Sequence, residues 1–274
     1  MRPVKRRGPA PSALHLLFTA LGSVLVLFVL APLAGMFLAT SAGDLGRAAA
    51  DRAVTGALLL SLSAGLAATL ATALFGIPLA WLLARKEFPG KSLLSALVDL
   101  PMVVPHTAAG IALLTVFGRE ARAGRLLERL GVGFTGTFLG ITAAMAFVSL
   151  PFLVNAAREG FCAVPERLEK AARSLGASPW RVFRTITLPL AKRSILAGMI
   201  MMWGRGISEF GAVVIIAYHP MTATVLIAER FNDYGLAYAR SAAVLLLMAA
   251  MALFLLLRVL SGRRLPEGGG RAGG

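Results

Sequence analysis

Few side chains in this sequence can do chemistry, and most of those stand inside long apolar runs. Trp203-Gly204-Arg205-Gly206-Ile207-Ser208-Glu209-Phe210 sets an arginine and a carboxylate four residues apart, which puts both on one face of a helix. Alone at a bilayer centre, each charge costs about 2.5–3.5 kcal/mol. The simplest reading of Arg205 and Glu209 is a structural pair that neutralises itself, although arginine ahead of glutamate is the less favourable order. The alternative is an anion pathway using Arg205, with Ser208 beside it, but a paired arginine is a poor free anion site. Gly204, Gly206 and Gly211 would let this run approach another helix closely.

A second candidate group is Asp99-Leu100-Pro101-Met102-Val103-Val104-Pro105-His106-Thr107. Pro101 and Pro105 interrupt helix hydrogen bonding, which a membrane tolerates only where protein or water satisfies the freed backbone. The segment reads as a packed kink, a bend lining a pathway, or both. A proton relay from Asp99 to His106 would have to cross about 10 Å of helix, too far for direct transfer.

Other chemistries are poorly supported. Gly90-Lys91-Ser92 has the end of a phosphate loop, but the motif needs glycine at position 85, where this chain has Arg85. With no nucleotide-binding βα unit elsewhere, any ATP would have to be handled by another polypeptide. His15, His106 and His219 are too scattered for a metal motif. Cys162, the single cysteine, can form no intramolecular disulfide and reads as a small apolar residue. A membrane enzyme would need converging nucleophiles, acids or metal ligands. A secondary transporter would need an ion site, often with internal repeats; Asp99 and Glu209 are thin support for that.

The elements that must position these residues are membrane spans. Of 274 residues, 57% are hydrophobic and 15% charged, a balance foreign to soluble domains. Runs of about 20 apolar residues cross a bilayer, and six are expected: 14–39, 56–84, 92–117, 137–157, 194–218 and 241–260. The alternation of a membrane β-barrel is absent. The expected fold is therefore an all-α, multi-pass membrane protein. The basic segment 1–13 precedes an apolar run longer than a signal peptide's, so it reads as an uncleaved anchor. Placing both termini in the cytoplasm puts 19 of the 28 Lys and Arg in inner segments and eight in outer ones, as the positive-inside rule requires. The weak point is the outer cluster Arg119, Arg122, Arg125 and Arg129. The net charge of +15 suits anionic lipid, not nucleic acid. Residues 261–274 are glycine-rich and read as a disordered tail.

The longest polar stretch between apolar runs is PERLEKAARSLGASPWRVFRTITLP, Pro165 to Pro189. Leu168, Ala171, Ala172 and Leu175 recur at helical spacing, predicting a short amphipathic helix over 166–175. Gly176 suits the left-handed residue after a helix. Ser178-Pro179 reads as an N-cap followed by proline at the first helical position. A second short helix is expected to end at Leu188-Pro189. As bare composition, the stretch is a solvated basic loop.

Its spacing resembles the cytoplasmic EAA loop of ABC importer permeases: Lys170-Ala171-Ala172, then Gly176-Ala177, then Ile186-Thr187-Leu188-Pro189. Lys170 stands where that pattern usually has glutamate, and Glu169 lies next door. Ser208–Leu236 and Asp99–Leu114 resemble the molybdate/tungstate branch of these permeases, with sulfate permeases as close neighbours. The resemblance runs from about residue 14 to 260. It implies a six-helix permease that forms a homodimer, bound to two ATPase subunits carrying ATP and Mg and to an extracytoplasmic oxyanion-binding protein. It also implies that Glu166, Leu168, Glu169, Lys170, Ala171, Ala172, Leu175, Gly176 and Ala177 form the coupling surface. Pro101, Pro105, His106, Arg205, Ser208 and Glu209 are then residues of the translocation path or its packing.

Overall fold

The computed structural model describes residues 12–262, with side chains to residue 255. The expected basic N-terminus and disordered tail thus lie mostly outside the described residues. Helix α1 (Ala13–Leu38) is followed by a short α2 (Ala42–Ala50) and the 34-residue α3 (Arg52–Arg85). Next come α4 (Lys91–Asp99) with a 3-10 turn (Leu100–Met102), α5 (His106–Phe117), α6 (Arg122–Arg129) and α7 (Phe138–Cys162). The chain continues through α8 (Glu166–Ser174), α9 (Pro179–Val182), a π-helical turn (Phe183–Thr187) and α10 (Leu188–Ile207). It finishes with α11 (Gly211–Ile216), α12 (Ala223–Tyr234) and α13 (Leu236–Gly262). No strand occurs among the described residues.

Five helical segments are long and apolar enough to cross a membrane, and the bent pair Lys91–Met102 and His106–Phe117 makes a sixth. The pair turns by 112° at the break. There Pro105 supplies no N–H and holds its own backbone out of the helical region, at φ −54° and ψ 132°. The sequence-predicted interruption is therefore present, with Pro101 buried in the 3-10 turn and Pro105 exposed at the head of α5.

Helices α3, α7 and α10 form the centre. In a bilayer, helix association rests on close packing more than on escape from water, so small residues collect at contacts. Gly198 of α10 presses on the Leu153 backbone of α7, where an added Cβ would come within 3.2 Å of the Leu153 Cα. Ile141, Met145, Leu153, Phe161 and Met202 fill the space between, each essentially inaccessible. α1 buries none of its residues.

Two expectations fail, both around α10. Leu188-Pro189 does not end the second short helix: α9, the π turn and α10 run on as one 29-residue span, Pro179–Ile207. The Leu188 N–H bonds back five residues to Phe183 O. That wider turn takes up the register where Pro189 donates nothing, so proline sits in the first turn of α10 without breaking the rod. The fifth span also stops at Ile207 instead of continuing to Tyr218. Glu209 is off the helix, and its Oε1 accepts the N–H of Ala212 at 3.0 Å, heading α11. A carboxylate that captures the backbone donor competes with helix continuation. The expected outer loop that follows contains α12.

Candidate functional site

Chemistry-bearing side chains gather at two places on the α10 rod. At its start, α8 lies with its polar residue inward. Glu169 is 6% exposed. Its Oε1 accepts from Arg85 Nε at 3.1 Å, Arg85 Nη2 at 2.9 Å and Thr187 Oγ1 at 2.8 Å. Arg85 also donates to Val164 O at 2.9 Å. One carboxylate thus joins the end of α3, the short helix α8 and the π turn below α10. Burial of both partners strengthens the charge-assisted bonds.

The apolar stripe of α8 faces the other way. Leu168 is 41% exposed, Leu175 89% and Trp180 67%, while Ala171 is exposed beside them. Contiguous apolar surface on a polar loop marks a place of contact with something else. Lys170 points outward and pairs with Glu166 at 3.0 Å, and that bond holds the Glu166 carboxyl below the usual carboxylate range. Gly176 has φ +84°, and nothing lies within 4 Å of where its Cβ would stand. Ser178 caps α9 by accepting the Arg181 N–H. The local geometry read from sequence at Gly176 and Ser178 is as expected, with Ala177 partly covered behind them.

At the far end of the rod, Arg205, Glu209 and His106 meet. Glu209 Oε2 lies 3.0 Å from Arg205 Nη1 and 2.7 Å from His106 Nδ1. A carboxylate oxygen here accepts, so Nδ1 carries the proton. Arg205 Nη2 lies 2.9 Å from both ring nitrogens, a placement against the ring and not a single directed bond. Thr224 Oγ1 donates to the Glu209 carbonyl at 2.8 Å. Ser208 is exposed, with Oγ donating to Arg205 O. Side-chain exposure is 1% for Glu209, 24% for Arg205 and 38% for His106. Neighbouring Gly206 packs on Met145 and Ser149, near the middle of α7, so the cluster stands at bilayer depth.

The structural pair Arg205–Glu209 is therefore present, but not on one helix as expected, because α10 ends between the two. His106 joins it from the broken span, across 103 positions of chain. Asp99 is elsewhere, accepting from Asn155 Nδ2 at 2.6 Å, which removes the Asp99–His106 relay. Sequence reasoning missed Arg85 and Thr187; an arginine closing an apolar span and a threonine inside the loop motif were the available signals. Among the described residues no group of His, Cys, Asp and Glu could hold a metal ion.

A bundle of long apolar helices with one broken span, charge at bilayer depth and an outward-facing apolar loop at one end is the architecture of a multi-pass membrane protein. The chain belongs to the family described as binding-protein-dependent transport system inner membrane component, whose model matches residues 76–265. Over 90% of this chain and 96% of the relative, it is 47% identical to the molybdate/tungstate transport system permease protein WtpB of Thermococcus kodakarensis. It is 36% identical, over 78% of this chain and 75% of the relative, to a probable sulfate transport system permease protein of Chlorokybus atmophyticus. The fold is similar to that of a bacterial ABC transporter involved in import of the acidic polysaccharide alginate, with TM-score 0.71, 17% identity, and 92% and 96% of the two chains covered.

Proposed function

We propose that this chain is the permease of an ATP-driven importer that carries molybdate or tungstate inward across the cytoplasmic membrane. The observation that carries the cargo assignment is the 47% identity, over nine-tenths of the chain, to a permease named for those two ions. Two copies of the chain surround the path. Two separate ATPase subunits, holding ATP and Mg, dock on Leu168, Leu175 and the small residues between them. An extracytoplasmic binding protein delivers the oxyanion at the opposite end. Both termini face the cytoplasm, together with the Arg85–Glu169 junction.

The path follows the face shared by α5, α10 and α11. Lipid cannot cover a partly exposed arginine and histidine at bilayer depth without large cost. That face therefore meets water or a second copy. The mechanical link is the α10 rod: Thr187 is bonded to the docking helix at one end, and Arg205 stands about 27 Å away at the other. Movement of α8 by the ATPase is carried to the cluster by one continuous helix.

Reconstitution in proteoliposomes with the partner ATPase and binding protein tests the assignment. Uptake of molybdate or tungstate is expected, dependent on ATP and on the binding protein. ATP hydrolysis by this chain freed of other subunits would overturn the division of labour. Uptake of sulfate with no response to the heavier ions would move the cargo to the reading that the sulfate-permease relative favours.

A further inference from the structure

We propose that Arg205, seated against His106 and Ser208, is a contact for the tetrahedral dianion inside the membrane, with Glu209 as a fixed counter-charge that keeps the contact weak. The inference rests on the oxyanion-importer reading and adds residues and signs to it.

Arg205, His106 and Ser208 are the cluster members that reach the surface, whereas Glu209 is 1% exposed. An ion on this face meets the guanidinium, the imidazole edge and a hydroxyl before it meets the carboxylate. The Glu209 carboxylate cannot turn away to make room. Its two oxygens are held by Arg205, His106 and the Ala212 N–H, and its carbonyl by Thr224. His106 Nδ1 is committed to Glu209 and Nε2 lies 2.9 Å from Arg205 Nη2, so the ring offers an anion no N–H of its own and acts by seating the guanidinium. The guanidinium has five N–H groups in a planar fork suited to oxyanions. Only its two terminal nitrogens are engaged among the described residues.

The buried carboxylate explains why such a contact would not become a trap. An unopposed arginine in a low-dielectric site would hold a dianion firmly. With Glu209 beside it the pair is neutral in sum, and the ion is attracted by local donors while repelled by the charge behind them. Passage requires this balance, because a site must be favourable enough to enter and weak enough to leave. In this assignment Glu209 is a positioning residue and a competitor, and Arg205 is the residue that touches cargo.

The two roles predict opposite signs, which a purely structural ion pair does not. The experiment measures molybdate binding by equilibrium dialysis to the complete permease–ATPase complex in detergent without binding protein, alongside uptake in proteoliposomes. Arg205→Gln should weaken binding about tenfold or more, as expected for loss of a charge-assisted bond, and uptake should fall with it. Glu209→Gln should bind molybdate about tenfold more tightly, since the opposing charge is gone while the amide still offers an acceptor. Its uptake should nevertheless fall, because release is slowed. Ser208→Ala and His106→Gln, both altered at the surface, should each weaken binding a few-fold, and they carry the test if the Glu209 variant does not assemble. Binding that is unchanged in Arg205→Gln, or that moves the same way in Arg205→Gln and Glu209→Gln complexes that assemble normally, overturns the proposal. If the wild type imports sulfate and not molybdate, the cargo reading fails alone, and the same dialysis with sulfate decides this contact by the same signs.

Discussion

Cutting the junction at Glu169 should separate stability from transport. Arg85 and Glu169 have side chains only 7% and 8% exposed, so solvent screens the pair little. Replacing one member by methionine leaves the other charge buried, a loss of about 3–5 kcal/mol. Thr187→Val removes a single bond to the carboxylate, at about 1.5–3 kcal/mol. The double replacement Arg85→Met with Glu169→Met removes both charges, and apolar substitutes for a buried pair are often neutral. Thr187 Oγ1 and Val164 O lose partners in it, so the double variant should lie within about 2 kcal/mol of wild type. Uptake should stay low in all four variants, because each cuts at least one of the ties that join α8 to α3 and to the base of α10. The assays are thermal or denaturant unfolding in detergent and ATP-driven uptake in proteoliposomes. Single variants within about 1 kcal/mol of wild type, or a double variant whose loss equals the sum of the singles, would refute the buried-pair reasoning. Full uptake in the double variant would show that the stroke travels by another route.

Gly176→Val should reach the membrane but lose uptake, with a cost of about 1–3 kcal/mol that is entirely backbone, since the site has open space at φ +84°. Gly176→Asn should be milder because asparagine tolerates that conformation, and equal damage from both would count against the explanation. Ser178→Ala should lose about 1 kcal/mol of capping, read by unfolding. Gly110→Ala should weaken the α5–α11 contact, because its Cβ would stand 2.9 Å from the Ala212 carbonyl oxygen; unchanged thermal stability would contradict the close approach. The bond from Arg230 lowers the Asp51 carboxyl below its ordinary value near 3.8. Its contribution is therefore complete above that value and lost as pH falls through the lowered one. The acid-side stability profile of Asp51→Asn should accordingly be flatter than wild type below about pH 4.

What the sequence by itself determined is local or compositional. Apolar length set five of the six crossings to within about five residues, because insertion depends on continuous hydrophobicity, whereas the fifth, expected at 194–218, runs Pro179–Ile207. Ser178 and Gly176 marked a cap and a left-handed turn, because those preferences belong to single residues. Pro101 and Pro105 announced a break for the same reason. The direction of α8 was not legible: helical spacing showed a stripe of Leu168, Ala171 and Leu175 but not that it faces outward, since periodicity finds a face and not its partner. Local rules misjudged Pro189, where the π turn at Phe183–Thr187 absorbs the register change, and they extended the fifth span past Glu209, whose carboxylate caps α11 instead. Only tertiary structure brought His106 to Glu209 across 103 positions and Arg85 to Glu169 across 84. Such pairings follow from how α3, α7 and α10 pack, because a buried charge takes whatever donor the packed backbone holds within reach, however distant in the chain.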